Sequence, residues 1–164
     1  MRVYLPATSA GVRDALASGV LDPSVGYAVT PALREWYVEG DHEELEYAAS
    51  TAAARASLRL LAGSTPGGDD WRRVVVAAEV PDAEARPAPD IDRAAVRLAG
   101  PVPWRLVESA LVDDPSAAPD VRRGAELSAA ADAGDEDASF TVDAVEDHEL
   151  GWYAVQELPG LVAP

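Results

Sequence analysis

The chain of 164 residues contains no cysteine and no lysine, a single methionine, a single phenylalanine and only two histidines. Without cysteine there is no disulfide framework, thiolate zinc site, iron–sulfur centre or cysteine nucleophile. Without lysine there is no P-loop, Schiff base or lysine general base. Long hydrophobic runs are missing too. Val74-Val75-Val76-Ala77-Ala78 is among the longest, against the roughly 18 residues a membrane-spanning helix needs. The opening Met1-Arg2-Val3-Tyr4-Leu5-Pro6 reads as a short strand ending at proline. It lacks the basic region and the run of about 7 to 15 apolar residues of a secretion signal, so a cytoplasmic protein is expected.

Basic charge is scarce. Thirteen arginines face 29 acidic residues for a formal charge of -16, which repels nucleic-acid backbones and anionic membranes, so direct binding to either is not expected. Apolar residues make up 48% of the chain, enough for one folded domain spanning 1–164. The arginine-only basic set and the wealth of Ala, Val, Gly, Pro, Asp and Glu point to a high-GC genome.

Several elements are legible. Strand 2–5 precedes a helix 8–18, capped by Thr8 or Ser9 and stopped at Gly19. A strand 26–30 leads into a short helix opened by Pro31 and carrying Trp36 and Tyr37, broken at Gly40. Asp41 caps a long helix to about Ala62, with Leu45, Ala48, Ala49, Ala52, Ala56, Leu60 and Leu61 as its core stripe. Gly63–Asp70 has the residues of an exposed turn; its glycines and hydroxyls are the raw material of a phosphate cradle, but no P-loop pattern is present and the two aspartates at its end repel phosphate. A β-branched run, 71–80, reads as a central strand.

The proline-rich connection 81–92 should stay out of regular structure. Strand 94–99, a helical turn in 103–108, a short strand 110–112, helices over 119–133 and 138–145 separated by a loop at 134–137, and a last strand 150–154 complete the pattern. The expected fold is α+β: a mixed or antiparallel sheet of five or six strands with helices mainly on one face, ferredoxin-like in part. Twelve of the acidic residues lie in segment 113–149 against Arg122 and Arg123 alone.

The block Val29-Thr30-Pro31-Ala32-Leu33-Arg34-Glu35-Trp36-Tyr37, the segments Glu43–Ala49 and Ala54–Leu60, and the stretches Arg72–Ala77, Asp92–Val96 and Trp152–Ala154 together resemble an uncharacterised actinobacterial family, a domain of unknown function. The resemblance runs over nearly the whole chain and implies an actinobacterial source. It brings no established activity, cofactor or site residue.

Two constellations could carry chemistry. Both histidines sit in the same setting, Asp41-His42-Glu43 and Asp147-His148-Glu149. His42 and Glu46 are one helical turn apart, so His42, Glu46 and His148 form a candidate metal set. Against it, no HExxH pair exists, and acidic residues are favoured in a first helical turn regardless. The second set, Arg34, Trp36, Tyr37 and Tyr47, joined by Trp152 and Tyr153 if the last strand lies beside the helical pair, forms a candidate binding surface. The plainer expectation places Trp36 and Trp152 in or beside the core. A serine triad has no GxSxG elbow to support it.

No catalytic residue and no cofactor is expected. The leading reading is a non-enzymatic interaction or regulatory domain that presents the acidic segment to a basic protein partner. Its alternatives are a metal-dependent hydrolase or small-ligand enzyme built on His42, Glu46 and His148, and a mimic of nucleic-acid charge.

Overall fold

A computed structural model describes residues 1–67 and 70–164; Gly68 and Asp69, in the expected turn 63–70, lie outside the described residues. Strand β1 (Arg2–Ala7) leads into helix α1 (Ser9–Ser18). Thr8 caps this helix by accepting from the Gly11 N–H, and Gly19, at φ 82°, ends it by donating to Ala15. A left-handed residue at that position favours glycine, so the stop is written in the sequence. Strands β2 (Val20–Leu21) and β3 (Val25–Tyr27) follow.

Next come helix α2 (Pro31–Trp36), with Pro31 in its first turn and Thr30 as cap, and helix α3 (His42–Ala62). Asp41 and Glu44 form a reciprocal capping box at the start of α3, satisfying two otherwise orphaned backbone donors. Beyond it lie strands β4 (Val74–Glu79), β5 (Ala85–Pro87), β6 (Ala95–Leu98), β7 (Val102–Pro103) and β8 (Val107–Asp113). Helices α4 (Ala118–Asp132) and α5 (Glu136–Ala144), strand β9 (Leu150–Ala154) and the short α6 (Leu158–Leu161) end the chain.

Among the described residues the main sheet has seven strands in the order β5-β6-β3-β1-β4-β8-β9, and β2 pairs with β7 in a small second sheet. All pairings among the described residues are antiparallel. Both β3 and β4 run antiparallel to β1 between them, so they are parallel to each other and joined by α2 and α3. This split βαβ unit is the ferredoxin-like part of the α+β fold.

Each sheet face has its own core. Val3, Leu5, Val74, Val76, Val96 and Val112 pack with Val12 and Ala15 of α1, Leu21, Val102 and Leu158. On the opposite face, Tyr4, Tyr27, Val75 and Ala77 pack with Leu33 of α2 and Leu45, Ala49 and Ala53 of α3. A third cluster, Leu58, Leu61, Val121, Ala125 and Val145, fastens α4 and α5 to the far end of α3. Helices thus lie mainly on one face, with α1 and α6 on the other. Gly124 permits the close approach of α4: a Cβ there would sit 2.6 Å from Val145 Cγ2.

Several boundaries differ from the sequence reading for physical reasons. Strand β1 passes through Pro6 to Ala7. Met1 and Val80 exchange both backbone bonds, so even-numbered residues of β1 turn their nitrogens away from β4. On the β3 side pairing is recorded only at Tyr4↔Tyr27, and the missing proline N–H costs no paired bond. The connection 81–92 is not irregular throughout, because β5 forms there as an edge strand, a place where Pro87 is tolerated. Asp135 caps α5, so Glu136 and Asp137 are helical where a loop was expected.

The core stripe of α3 is also rotated. Ser57, Leu58, Ala53 and Ala54 are buried, whereas Leu60 is exposed. Ser57 Oγ donates to the Ala7 carbonyl and accepts from the Val74 N–H, which lets a hydroxyl enter the core fully bonded.

Two arginines that read as strand residues are buried anchors ahead of β4. Arg73 forms two hydrogen bonds to the Asp113 carboxylate at 2.9 and 2.8 Å and a third to the His148 carbonyl, with both charged side chains almost fully buried. Arg72 reaches Ser9 and the Leu161 carbonyl, tying α6 down. Among the described residues no helix is long and apolar enough to cross a membrane.

Candidate functional site

A groove of about 1420 Å³ lies between α2, the turn 37–41, the outer face of α3 and segment 91–94. The sequence places its walls by local rules. Thr30 Oγ1 accepts from the Leu33 N–H and donates to the Arg93 carbonyl, which fixes the start of α2 against segment 91–94. The Gly40 N–H donates to the Tyr37 carbonyl, turning the chain back into the capped start of α3. Along α3 the lining residues Glu43, Glu44, Tyr47, Ala48, Thr51, Ala52, Arg55 and Arg59 recur at three- and four-residue intervals, so they share one face of the helix.

The groove is aromatic at one end. Trp36, Tyr37 and Tyr47 line it and remain 61%, 43% and 68% exposed. The Arg93 guanidinium lies over the Trp36 ring, 3.6 Å from its centroid, a cation–π contact. Tyr27 closes the floor; burial first, and then the Asp92 carboxylate, push its phenol above the ordinary value, so it stays a neutral hydroxyl.

At the other end Arg55 pairs with Glu146 and Arg59 with Asp132. The hydrogen bond to Glu146 raises the Arg55 value despite the opposing cost of burial, and that to Arg59 lowers Asp132. Six carboxylates, Glu39, Asp41, Glu43, Glu44, Asp92 and Glu146, face three arginines along the lining. Glu39 and Glu43 make no side-chain hydrogen bond or ion pair among the described residues, so the groove is net negative.

Of the expected binding surface, the fold brings together Trp36, Tyr37 and Tyr47, with Arg34 exposed on α2 but outside the lining. Trp152 and Tyr153 lie on β9, at the edge of the sheet far from β3 and β6, and do not join the set. Tyr153 packs against the α1-side core, while Trp152 is 65% exposed. The expectation that Trp36 and Trp152 lie in or beside the core is therefore corrected: both are mostly exposed and neither packs against a core cluster among the described residues. Valine, alanine and leucine fill the interior, and Trp104 is the tryptophan that packs against the main core.

The candidate metal residues are not gathered either. His42 Nε2 lies 3.5 Å from Glu46 at the exposed start of α3. His148 Nε2 lies 2.8 Å from Asp120 of α4, and its carbonyl accepts from Arg73, so the two histidines have separate carboxylate partners on separate elements. Among the described residues no group of three or more His, Asp or Glu is arranged to hold a metal ion.

A family of unknown function (DUF6912) has a model that matches residues 1–162. The chain belongs to this family. No curated protein and no solved structure matches it. The family match spans every element that builds the groove, from Tyr27 to Glu146.

Sequence reasoning missed Arg55, Arg59, Arg93 and Ile91 as groove residues. The first two carried a signal: with Tyr47 and Thr51 they continue a polar stripe on α3 at helical spacing. Arg93 carried none, because its contact with Trp36 joins positions 57 residues apart.

Proposed function

We propose that this chain is a non-enzymatic cytoplasmic interaction domain that holds a basic segment of a partner protein in the groove between α2 and α3. The observation carrying this reading is the exposure of Trp36, Tyr37 and Tyr47 in one groove whose carboxylates outnumber its arginines. Exposed aromatics in a concave surface anchor interfaces, since each contributes large apolar area with a polar tip. Unanswered Glu39 and Glu43 add attraction for a cation and steer its approach, an effect that salt suppresses. Ala48, Thr51 and Ala52 form a low floor between the aromatic and arginine ends, which gives an incoming backbone room to approach. The lysine-free composition supports an actinobacterial, high-GC source.

The acidic segment 113–149 is a weaker docking face than its charge suggests. Asp113, Asp120, Glu126, Asp132 and Glu146 are already paired with Arg73, His148, Arg122, Arg59 and Arg55. Asp114 and Asp135 bind backbone N–H groups at element starts.

The test is capture from lysate by the wild-type chain and by the Trp36→Ala/Tyr47→Ala double variant, at low and high salt. A basic protein retained at low salt by the wild type and lost by the variant is the expected result. Equal capture by both proteins would move the binding surface away from the groove.

A further inference from the structure

We infer that the groove selects arginine over lysine in its partner, seating the guanidinium on the open face of Trp36 with its fork directed to Glu39 or Glu43. The inference rests on the reading of the groove as a site for a basic segment, and adds which cation it takes. Three observations carry it. Trp36 already holds one guanidinium, that of Arg93 at 3.6 Å from the ring centroid, so the ring is presented in a way that a planar cation can stack upon. It is nevertheless 61% exposed, and because Arg93 covers one side, that exposure belongs to the other face and the ring edge. Glu39 and Glu43 line the same groove and have no cationic partner among the described residues.

The chemistry separates the two basic side chains. A guanidinium is planar and weakly hydrated, stacks on an indole and offers parallel N–H donors to a carboxylate at the same time. An ammonium is a strongly hydrated point charge; it gains the Coulomb attraction but not the stacking or the two-point contact. Tyr37 and Tyr47 line the same groove and offer apolar surface along which the methylene stem of an arginine can lie. Repulsion between the incoming guanidinium and Arg93 is offset by the excess of carboxylates along the lining.

The test uses a twelve-residue peptide with arginine at every fourth position among alanine and leucine, and its lysine twin, titrated calorimetrically into the full chain at low and moderate salt. The arginine peptide should bind about tenfold more tightly than the lysine peptide, the size of one partly desolvated cation–π contact. Trp36→Ala should remove that preference while leaving the far-UV spectrum unchanged and lowering the melting point only slightly, through loss of the Arg93 contact, and Trp36→Phe should restore part of the preference. Equal binding of the twins, abolished in both by Trp36→Ala, would overturn guanidinium selection yet leave the basic-segment reading standing. An arginine preference that survives Trp36→Ala would place the selecting group elsewhere and overturn the inference. If neither peptide binds, both readings fall.

Discussion

Helix α4 and the α2–α3 groove both carry several carboxylates, and they use them in opposite ways. On α4 and in the turn after α5, Asp132 and Glu146 reach across to Arg59 and Arg55 of α3, Asp120 meets His148, and Glu126 meets Arg122 one turn away. Around the groove, Glu39 and Glu43 stay unanswered among the described residues, beside aromatic rings that stay exposed. Net charge alone therefore does not locate a binding surface. Phe140 on α5 is exposed beside Glu136, Asp137 and Asp143, which have no cation among the described residues either, but α5 lines no concave surface with several aromatic rings as the groove does.

The self-paired side can be broken most strongly at its base. Asp113→Ala strands Arg73, whose side chain is 3% exposed, and should cost about 3–5 kcal/mol, read as a lower urea midpoint. A smaller loss on the same side comes from Gly124→Ala, where the new Cβ meets Val145 Cγ2 at 2.6 Å; overpacking of this kind costs about 1–3 kcal/mol. A urea midpoint equal to that of the wild type would show that this contact relaxes freely.

Charge removal then separates the two regions by binding. Glu39→Gln/Glu43→Gln should weaken the arginine peptide by about 1 kcal/mol, whereas Glu136→Gln/Asp137→Asn on α5 should leave its affinity unchanged. The reverse order would return the docking face to the acidic helices.

The smallest effect concerns pH. Arg59 holds Asp132 below the usual aspartate value. The stability this tie lends is complete above the ordinary aspartate range and is lost as pH falls through the lowered value. Wild type and Asp132→Asn should therefore differ slightly at neutral pH and converge in acid, which thermal melts across the acid range would show.

Much of the fold was legible because it follows local rules. Thr8, Thr30 and Asp41 as caps, Gly19 as a stop, and the β-branched run at 74–76 each act over a few residues. The candidate site was legible in part: the short sequence Trp36-Tyr37 and the helical position Tyr47 pointed to it, whereas Trp152 and Tyr153 depended on the last strand lying beside the helical pair, a condition the strand order does not meet. Pairing partners could not be read from spacing. Arg93 meets Trp36, Asp132 meets Arg59 and His148 meets Asp120 only because the strand order and the seating of α4 bring them together.

The sequence by itself determined an α+β domain with capped helices, and a strong negative charge that the folded chain retains. Tertiary structure decided where that charge stays unpaired, which tryptophans remain outside, and that the two histidines meet different carboxylates, Glu46 and Asp120. The physical reason is range: capping, turns and periodicity are set by neighbours along the chain, whereas burial and ion pairing depend on surfaces that exist only once the sheet has closed and the helices have packed on it.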